Sequence, residues 1–406
     1  MMPLFQDPLH ERLGSWPLAY IPYGGADFGE IVAIADAVGD GDDDAFHAAW
    51  THAADRLAGQ ADDAAAAGNL ISARELLLRA ACFYGKSYHP LFGRPLDARL
   101  TAGYRRQVDS FERALSLADE PVSPLQIPFG AASMPAYLLP AQGRAGETRP
   151  LLILTNGYDG SVTDLYFASA VAATRRGYHC LIFDGPGQGG MLIEQNVPLR
   201  PDLETVIEAV VDHALTLKHV DPTQIAISGW SLGGYLAPRA ASAEHRLAAC
   251  IADPAQAAMA DSFRATAVKM GATPEAAMHL GGLDDAILER LQKVIDNDRV
   301  LHWSIVRRGY WVHGTDTLRG FLQSIDTFDM RDRIAQIRCP TLVTFSDGDP
   351  LARGVEAFHA ALQCPKQILR FGHDDGTQGH CEMGNRSLLN RRVLDWLDRV
   401  LAPGFR

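Results

Sequence analysis

The chain has 406 residues, of which 47% are hydrophobic and 21% are charged. These proportions are typical of a globular protein with a large core, and they exclude a mainly disordered or fibrous chain. The 49 acidic and 37 basic residues give a net charge of −12, which argues against a nucleic-acid binder and against docking on anionic membranes.

Targeting signals are not evident in the sequence. No apolar run reaches the length of about 18 residues that a membrane helix needs, and the N-terminus lacks the apolar core of a signal peptide. The six cysteines are scattered without a CxxC pair, which favours reduced thiols. We therefore expect a cytoplasmic protein, and the acidic charge makes an anionic substrate less favourable.

Residues 1–120 predict a helical domain. After an acidic cluster at Asp42, apolar residues recur at helical spacing as far as Leu57. Further helices are predicted at residues 70–84 and 97–117, and no strand-like alternation interrupts them.

A sheet is predicted from residue 121 onward, in two parts at 121–253 and 339–406. Two short segments predict an antiparallel pair, and six apolar runs then alternate with helical stretches, which indicates a parallel sheet covered on both faces. Residues 254–338 interrupt this rhythm with helices alone and predict an inserted lid. The predicted strands are 125–130, 134–139, 151–156, 179–184, 224–229, 247–253, 341–346 and 367–372.

The strongest chemical signal is the pattern GxSxG at residues 229–233, between a predicted strand and a predicted helix. A turn this sharp strains the backbone at the serine and raises its hydroxyl above the sheet. Side chains at Gly229 and Gly233 would collide with neighbouring backbone. The pattern therefore predicts Ser231 as a nucleophile.

A serine of ordinary pKa needs a base, and the base needs an orienting acid. His380 lies in a glycine-rich loop after the last predicted strand and is the preferred base, with His373 as its rival. Asp349 is the preferred acid, whereas Asp347 is expected to cap the same turn. The resulting chain order of serine, aspartate and histidine is that of the α/β-hydrolases.

The loop after the strand 151–156 supplies candidates for binding an oxyanion. The amides of Leu232 and Tyr158 are expected to form the oxyanion hole. Asp159 is expected either to cap the next helix or to face the substrate. The glycine-rich segment 184–189 has the wrong spacing for a dinucleotide loop and is interpreted as a turn at the rim of the site.

Aromatic and basic side chains are concentrated in the predicted lid between residues 301 and 321. As a group they predict a pocket for a bulky, flat, partly apolar substrate, although each one alone also fits ordinary packing. Trp230 is expected beneath the nucleophile turn or at the pocket floor. The candidates in the lid are His302, Trp303, Tyr310, Trp311 and His313.

The segments GWSLGG, NGYDGS, DGPGQG, SDGDPLA and GTQGHC together resemble the α/β-hydrolase superfamily, over about residues 120–406. The helical domain before the sheet is similar to a branch that includes 2,6-dihydroxypseudooxynicotine hydrolases, fungal pigment hydrolases that shorten polyketides, and fermentation-respiration switch esterases. The resemblance implies an α/β fold, the α/β-hydrolase fold, with a helical lid over a Ser-Asp-His triad. It also implies no metal and no organic cofactor.

The predicted activity is that of a serine hydrolase. It would cleave a carbon–carbon bond of the ketone or β-diketone type, or an ester, in an aromatic or polyketide-like small molecule. The alternatives are an acyltransferase or small-peptide peptidase with the same triad, and a noncatalytic ligand-binding member of the fold. We expect a small-molecule substrate and neither nucleic acid nor membrane as partner; a homodimer is one option for the N-terminal domain.

Overall fold

The chain begins with helices in the computed structural model, which describes residues 3–158 and 160–401. In this part of the chain five α-helices precede the first strand: α1 (Pro8–Gly14), α2 (Phe28–Val38), α3 (Asp43–Ala66), α4 (Leu70–Ser87) and α5 (Ala98–Ser116). The three predicted helices are confirmed as α3, α4 and α5, and α3 extends nine residues beyond its predicted end.

The sequence pattern predicts no individual helix within the first 40 residues. The described part of this stretch contains α1, α2 and a 3₁₀ segment at Trp16–Tyr23. The 3₁₀ segment contains Pro17 and Pro22, and proline disrupts the helical spacing on which the prediction depends. The acidic cluster behaves as predicted, because the Asp42 side chain accepts hydrogen bonds from two amides at the start of α3.

A mixed sheet forms the centre of the molecule. Its strands are β1 (Pro124–Phe129), β2 (Ala132–Leu139), β3 (Arg149–Thr155), β4 (His179–Phe183), β5 (Val220–Trp230), β6 (Leu247–Asp253), β7 (Thr341–Ser346) and β8 (Lys366–Phe371). Their order is β1-β2-β4-β3-β5-β6-β7-β8. β1 and β2 pair antiparallel, as predicted, and β3 to β8 are parallel to one another.

The sheet positions the site because the carboxyl ends of its parallel strands share one edge. The central strands are buried along nearly their whole length, as strands covered on both faces are. The flanking helices are α6 (Val162–Leu165), α7 (Val171–Arg176), α8 (Gly189–Ile193), α9 (Leu203–Ala214) and α10 (Gly233–Ala241).

The segment between β6 and β7 is helical, as predicted. It contains α11 (Asp261–Lys269), α12 (Pro274–Ala277), α13 (Asp285–Asp296), α14 (Arg299–His302), α15 (Tyr310–His313) and α16 (Leu318–Asp326). A short antiparallel bridge between Ala258 and Asp329 joins its two ends. Several of its apolar side chains form a small cluster of their own, separate from the main core.

The last two helices follow β7 and β8. They are α17 (Val355–Ala361) and α18 (Arg386–Leu401). Across the described residues, no helix combines the length and the apolar composition that crossing a membrane requires.

Candidate active site

The turn after β5 holds Ser231 in a strained conformation. Its φ angle is +56°, which is uncommon for a residue with a side chain. A Cβ at Gly229 would lie 2.1 Å from the carbonyl oxygen of Gly233, so glycine is required there. The turn therefore places the serine at the carboxyl edge of the sheet, as the GxSxG pattern predicts.

Three predicted residues are brought together by hydrogen bonds. The Oγ of Ser231 lies 2.7 Å from Nε2 of His380. The Nδ1 of the same ring lies 2.8 Å from Oδ2 of Asp349. The imidazole therefore stands between a hydroxyl and a carboxylate, in the arrangement that lets a histidine take the serine proton.

The Asp349 carboxylate is held in its charged form. Burial by itself would raise its pKa, but His380 and the backbone amides of Leu351 and Cys381 outweigh burial and lower the pKa below its ordinary value. These amides donate at 2.9 and 3.2 Å. The carboxylate can therefore orient the imidazole and stabilise its protonated form.

The rival residues lie apart from this chain of hydrogen bonds. Asp347 is exposed, and its backbone amide donates to the carbonyl of Phe371. His373 is exposed and hydrogen-bonds Gln378. The geometry thus favours the preferred residue of each pair.

The loop after β3 lies directly against the serine. A Cβ at Gly157 would lie 2.9 Å from the Cβ of Ser231, so the backbone of this loop reaches the nucleophile only because position 157 is glycine. Tyr158 follows at once, and Leu232 begins the helix side of the turn. Both predicted oxyanion amides therefore belong to backbone that meets at Ser231, while Asp159 lies outside the described residues.

Buried amide side chains hold that loop, and the sequence analysis did not identify them. The Nδ2 of Asn156 donates to the Ser161 carbonyl at 2.7 Å, and its Oδ1 accepts from the Gly157 amide. The Nε2 of Gln188 donates to the carbonyls of Asn156 and Gly157 at 3.0 and 2.8 Å. The glycine-rich segment 184–189, which was interpreted as a rim, fixes the loop from behind instead, and none of its residues is among those that line the cavity above Ser231.

A buried ionic cluster lies beneath the histidine. Arg386 donates to Oδ2 of Asp253 at 2.7 Å and to the carbonyl of Cys381 at 2.9 Å. Cys381 and Glu382 both have positive φ angles, 56° and 51°. This strained pair follows His380 directly, so the cluster anchors the turn that presents the imidazole.

One group of three possible metal ligands exists among the described residues: Asp349, His380 and Cys381. The first two already hydrogen-bond each other. Burial and the neighbouring carboxylates raise the pKa of the Cys381 thiol well above its ordinary value. The thiolate that a soft metal requires is therefore disfavoured, and the group fits the hydrogen-bonded arrangement better than a metal centre.

A cavity of about 1390 Å³ opens above Ser231. Its walls come from the N-terminal segment, the loops at the sheet edge and the lid. Trp230 lines the floor as predicted, with its Nε1 donating to Asn156 Oδ1 at 3.0 Å. Trp16 from the 3₁₀ segment packs over Trp230, with ring centroids 5.6 Å apart.

The five lid candidates do not line this cavity, which corrects the prediction. Trp303 donates to the His89 carbonyl and stacks on Phe92, and Trp311 meets the same ring edge-on. His313 hydrogen-bonds Ser324, and burial lowers its pKa to about 3. Tyr310 packs on Phe321 and His302 is half-buried.

Other faces of the same lid helices form the wall. The lining residues there include Leu301, Ser304, Ile305 and Arg308. Arg308 lies over the rings of Tyr158 and Trp303, at 4.6 and 5.0 Å. Among the aromatic side chains of the lid, Trp303 and Trp311 thus contact the N-terminal region through Phe92, whereas Phe263 and Phe321 line the cavity.

The chain matches a known protein family and several curated hydrolases. Residues 152–374 match the model of the alpha/beta hydrolase family. The chain is 32% identical over 410 residues to hydrolase acrC of Aspergillus aculeatus, with 94% of each chain covered. It is 29% identical to the 20-hydroxy-prefusarin hydrolase FUS2 of Gibberella moniliformis, with 95% of this chain and 94% of that one covered.

A solved structure shares the whole arrangement. The crystal structure of 2,6-dihydroxy-pseudo-oxynicotine hydrolase superposes with a TM-score of 0.73 at 23% identity. The match covers 95% of this chain and 96% of that one, so it includes the helices before the sheet and the lid. The structure therefore shares the fold of this chain, while the family match and the fungal hydrolases at 29–32% identity confirm the resemblance to the α/β-hydrolases and their fungal members.

Proposed function

The chain belongs to the alpha/beta hydrolase family and is a hydrolase, and we propose that Ser231 is its nucleophile. The substrate is an aromatic or polyketide-like small molecule, cleaved at a carbon–carbon bond beside a carbonyl or at an ester. The observation that carries this proposal is the unbroken series of hydrogen bonds from Ser231 through His380 to Asp349.

The reaction begins with attack on a carbonyl carbon. The Oγ of Ser231 forms the new bond while Nε2 of His380 takes its proton, and Asp349 stabilises the imidazolium. The amides of Tyr158 and Leu232 donate to the oxygen that becomes negative. Collapse of this intermediate leaves an acyl enzyme, which water hydrolyses with His380 again acting as base.

The leaving group distinguishes the two bond types. In an ester the leaving alkoxide takes the proton from His380. In a β-diketone the breaking carbon–carbon bond leaves its electron pair as an enolate, which takes the same proton on carbon. Both outcomes use the same side chains, so the proposal covers both.

The shape of the site supports a small substrate. The cavity is covered by the N-terminal segment on one side and by the lid on the other, and a folded protein does not fit beneath them. One relative is named as a hydrolase of 20-hydroxy-prefusarin, which supports a small-molecule substrate for this chain. Acyl transfer to an acceptor other than water remains the second candidate for the same residues.

Labelling with a fluorophosphonate probe tests the nucleophile. We expect wild-type protein to be labelled and Ser231→Ala not to be labelled, while Ser228→Ala, three residues earlier in β5, keeps the label. A panel of p-nitrophenyl esters and aryl β-diketones then identifies the bond that is cleaved. Labelling that survives Ser231→Ala would refute the proposal, and turnover of diketones alone would select the carbon–carbon reaction.

A further inference from the structure

A buried ion pair that takes no part in the hydrogen bonds of Ser231, His380 and Asp349 forms part of the cavity wall. The Nζ of Lys86, at the end of α4, lies 2.9 Å from Oδ1 of Asp164 in α6. The two side chains are only 6% and 7% exposed, yet both residues line the cavity. A buried pair of charges costs desolvation energy that its own attraction does not always recover, so its position in the wall of a ligand cavity calls for a functional reason.

The carboxylate of this pair is fully occupied. Its Oδ1 accepts from the hydroxyl of Tyr20 as well as from Lys86, and its Oδ2 accepts from the Ser161 amide. Burial would raise the pKa of Asp164, but Lys86, His89 and these hydrogen bonds together lower it. Asp164 is therefore ionised, and its two oxygens have little capacity to accept another hydrogen bond.

The ammonium is not occupied to the same degree. An ammonium group carries three N–H donors, and within the described part of the chain its hydrogen-bonding partner is Asp164 alone. The Lys86 side chain is only 6% exposed, and a buried donor without an acceptor is costly. An oxygen acceptor inside the cavity would satisfy the remaining donors.

The ion pair is also joined to the loop beside the nucleophile. Ser161 donates its amide to Asp164, and its carbonyl accepts from Asn156 at 2.7 Å. Asn156 in turn binds the amide of Gly157, the residue that lies against Ser231. The lysine thus occupies a fixed position relative to the oxyanion loop.

We propose that Lys86 binds a negatively charged oxygen of the substrate, a carboxylate, enolate or phenolate, which lies in the cavity beyond the carbonyl that Ser231 attacks. This inference rests on the proposed function. A hydrogen bond from an ammonium to an anionic oxygen is among the strong ones in proteins, so it would select substrates that carry such a group. The overall charge of −12 argues the other way, but distant surface charges are screened within about 8 Å and Lys86 acts at contact distance.

The test compares paired ester substrates. The p-nitrophenyl esters of glutarate, adipate and suberate are offered with the far carboxylate free or as its methyl ester, and kcat/KM is measured for each. Wild-type protein should prefer the free carboxylate by about tenfold or more at the best chain length. Lys86→Met should reduce that ratio towards one, and Lys86→Arg should retain part of it.

Two further variants guard against misfolding. Lys86→Met leaves Asp164 unpaired, so the double variant Lys86→Met with Asp164→Asn removes both charges and should lose the same preference. Lys218→Met removes an exposed lysine and should keep the wild-type ratio. Equal kcat/KM for the paired esters in wild-type protein, or an equal loss for both in Lys86→Met, would overturn the proposal.

Binding separates this inference from the proposed function. Calorimetry with the Ser231→Ala variant compares 3-phenylpropionate with its methyl ester, and the acid should bind more tightly only when Lys86 is present. If the fluorophosphonate probe does not label wild-type protein but the acid still binds more tightly than its methyl ester, the nucleophile is refuted and the lysine site stands. If the probe labels the protein but the acid and its methyl ester bind equally, the lysine site is refuted and the nucleophile stands.

Discussion

Two aspartates near the end of β7 differ in burial and in their partners. Asp349 is buried and hydrogen-bonds His380, whereas Asp347 is exposed. Asp349→Asn is expected to lower kcat by about 10⁴-fold, because the imidazole loses the charge that orients and stabilises it. Asp347→Asn should leave kcat near its wild-type value. Steady-state kinetics on the best substrate measures both variants. A loss of kcat confined to Asp347→Asn would show that Asp347, and not Asp349, is the acid.

Glu382 is a buried carboxyl beside the carboxyl of Asp253. Burial and the charge of Asp253 raise the pKa of Glu382 to about 11. A buried carboxyl beside an anionic carboxylate is more stable in its uncharged form, so Glu382 keeps its proton in the folded protein. The folded protein therefore retains a proton that the unfolded chain releases above about pH 4.5.

This proton makes stability depend on pH. Above the ordinary pKa the unfolded state binds fewer protons than the folded state, so the free energy of unfolding falls as pH rises, by up to about 1.4 kcal/mol per unit. Glu382→Gln carries no such proton, so its Tm should fall less than that of wild type between about pH 6 and pH 9. Glu75→Gln, at an exposed position, should follow wild type. If the Tm of all three proteins changes with pH in the same way, Glu382 is ionised in the folded state and the prediction is wrong.

At the scale of elements, the loop after β3 depends on the turn after β4. Gln188 is buried and donates to two carbonyls of that loop. Gln188→Met keeps the length of the side chain and removes both donors, which leaves the carbonyls unpaired and frees the loop to move. We expect kcat to fall by about tenfold to a hundredfold, less than for complete loss of an oxyanion donor.

The rate of fluorophosphonate labelling and the Tm of Gln188→Met distinguish an effect on the chemistry at Ser231 from a general loss of stability. Slower labelling with an almost unchanged Tm would show that the loop acts on the chemistry. Gln195→Met, at an exposed glutamine, is the matched control and should label at the wild-type rate. A wild-type rate for Gln188→Met would mean that the loop holds its shape without this side chain.

At the scale of the whole molecule, the N-terminal region and the lid contact each other beside the cavity. Phe92, from the region before the sheet, packs against Trp303 and Trp311 of the lid. Arg307 also donates to the Phe92 carbonyl at 2.7 Å. The lid and the N-terminal region therefore form one roof over the site, although about two hundred residues separate them in the chain.

Removing the ring of Trp303 tests this roof. Trp303→Ala creates a cavity and loses the hydrogen bond to His89, and it should lower the free energy of unfolding by about 3–5 kcal/mol. Leu301→Ala, at an exposed position two residues earlier, should cost less than about 1 kcal/mol. Denaturant titration measures both, and a small loss for Trp303→Ala would show that the lid is stable without its contacts to the N-terminal region.

The sequence by itself determined the order of the eight strands along the chain, most of the helices between them, the strained turn at Ser231 and the family. These features depend on neighbours in the chain: alternating apolar runs specify strands and helices, and the glycines of GxSxG specify one sharp turn. The preferred base and acid could also be chosen, because each follows a strand whose end must lie at the same edge of the sheet. Their roles in catalysis stay a prediction.

Only the tertiary structure decided which side chains meet across the fold. Lys86 and Asp164 are 78 residues apart and Asp253 and Arg386 are 133 apart, so no local spacing signals either pair. The lid shows the same limit, because composition predicted an aromatic pocket, whereas packing places Trp303 and Trp311 against Phe92 and Tyr310 against Phe321. A helix buries whichever face its partner covers, and the partner is known only once the chain has folded.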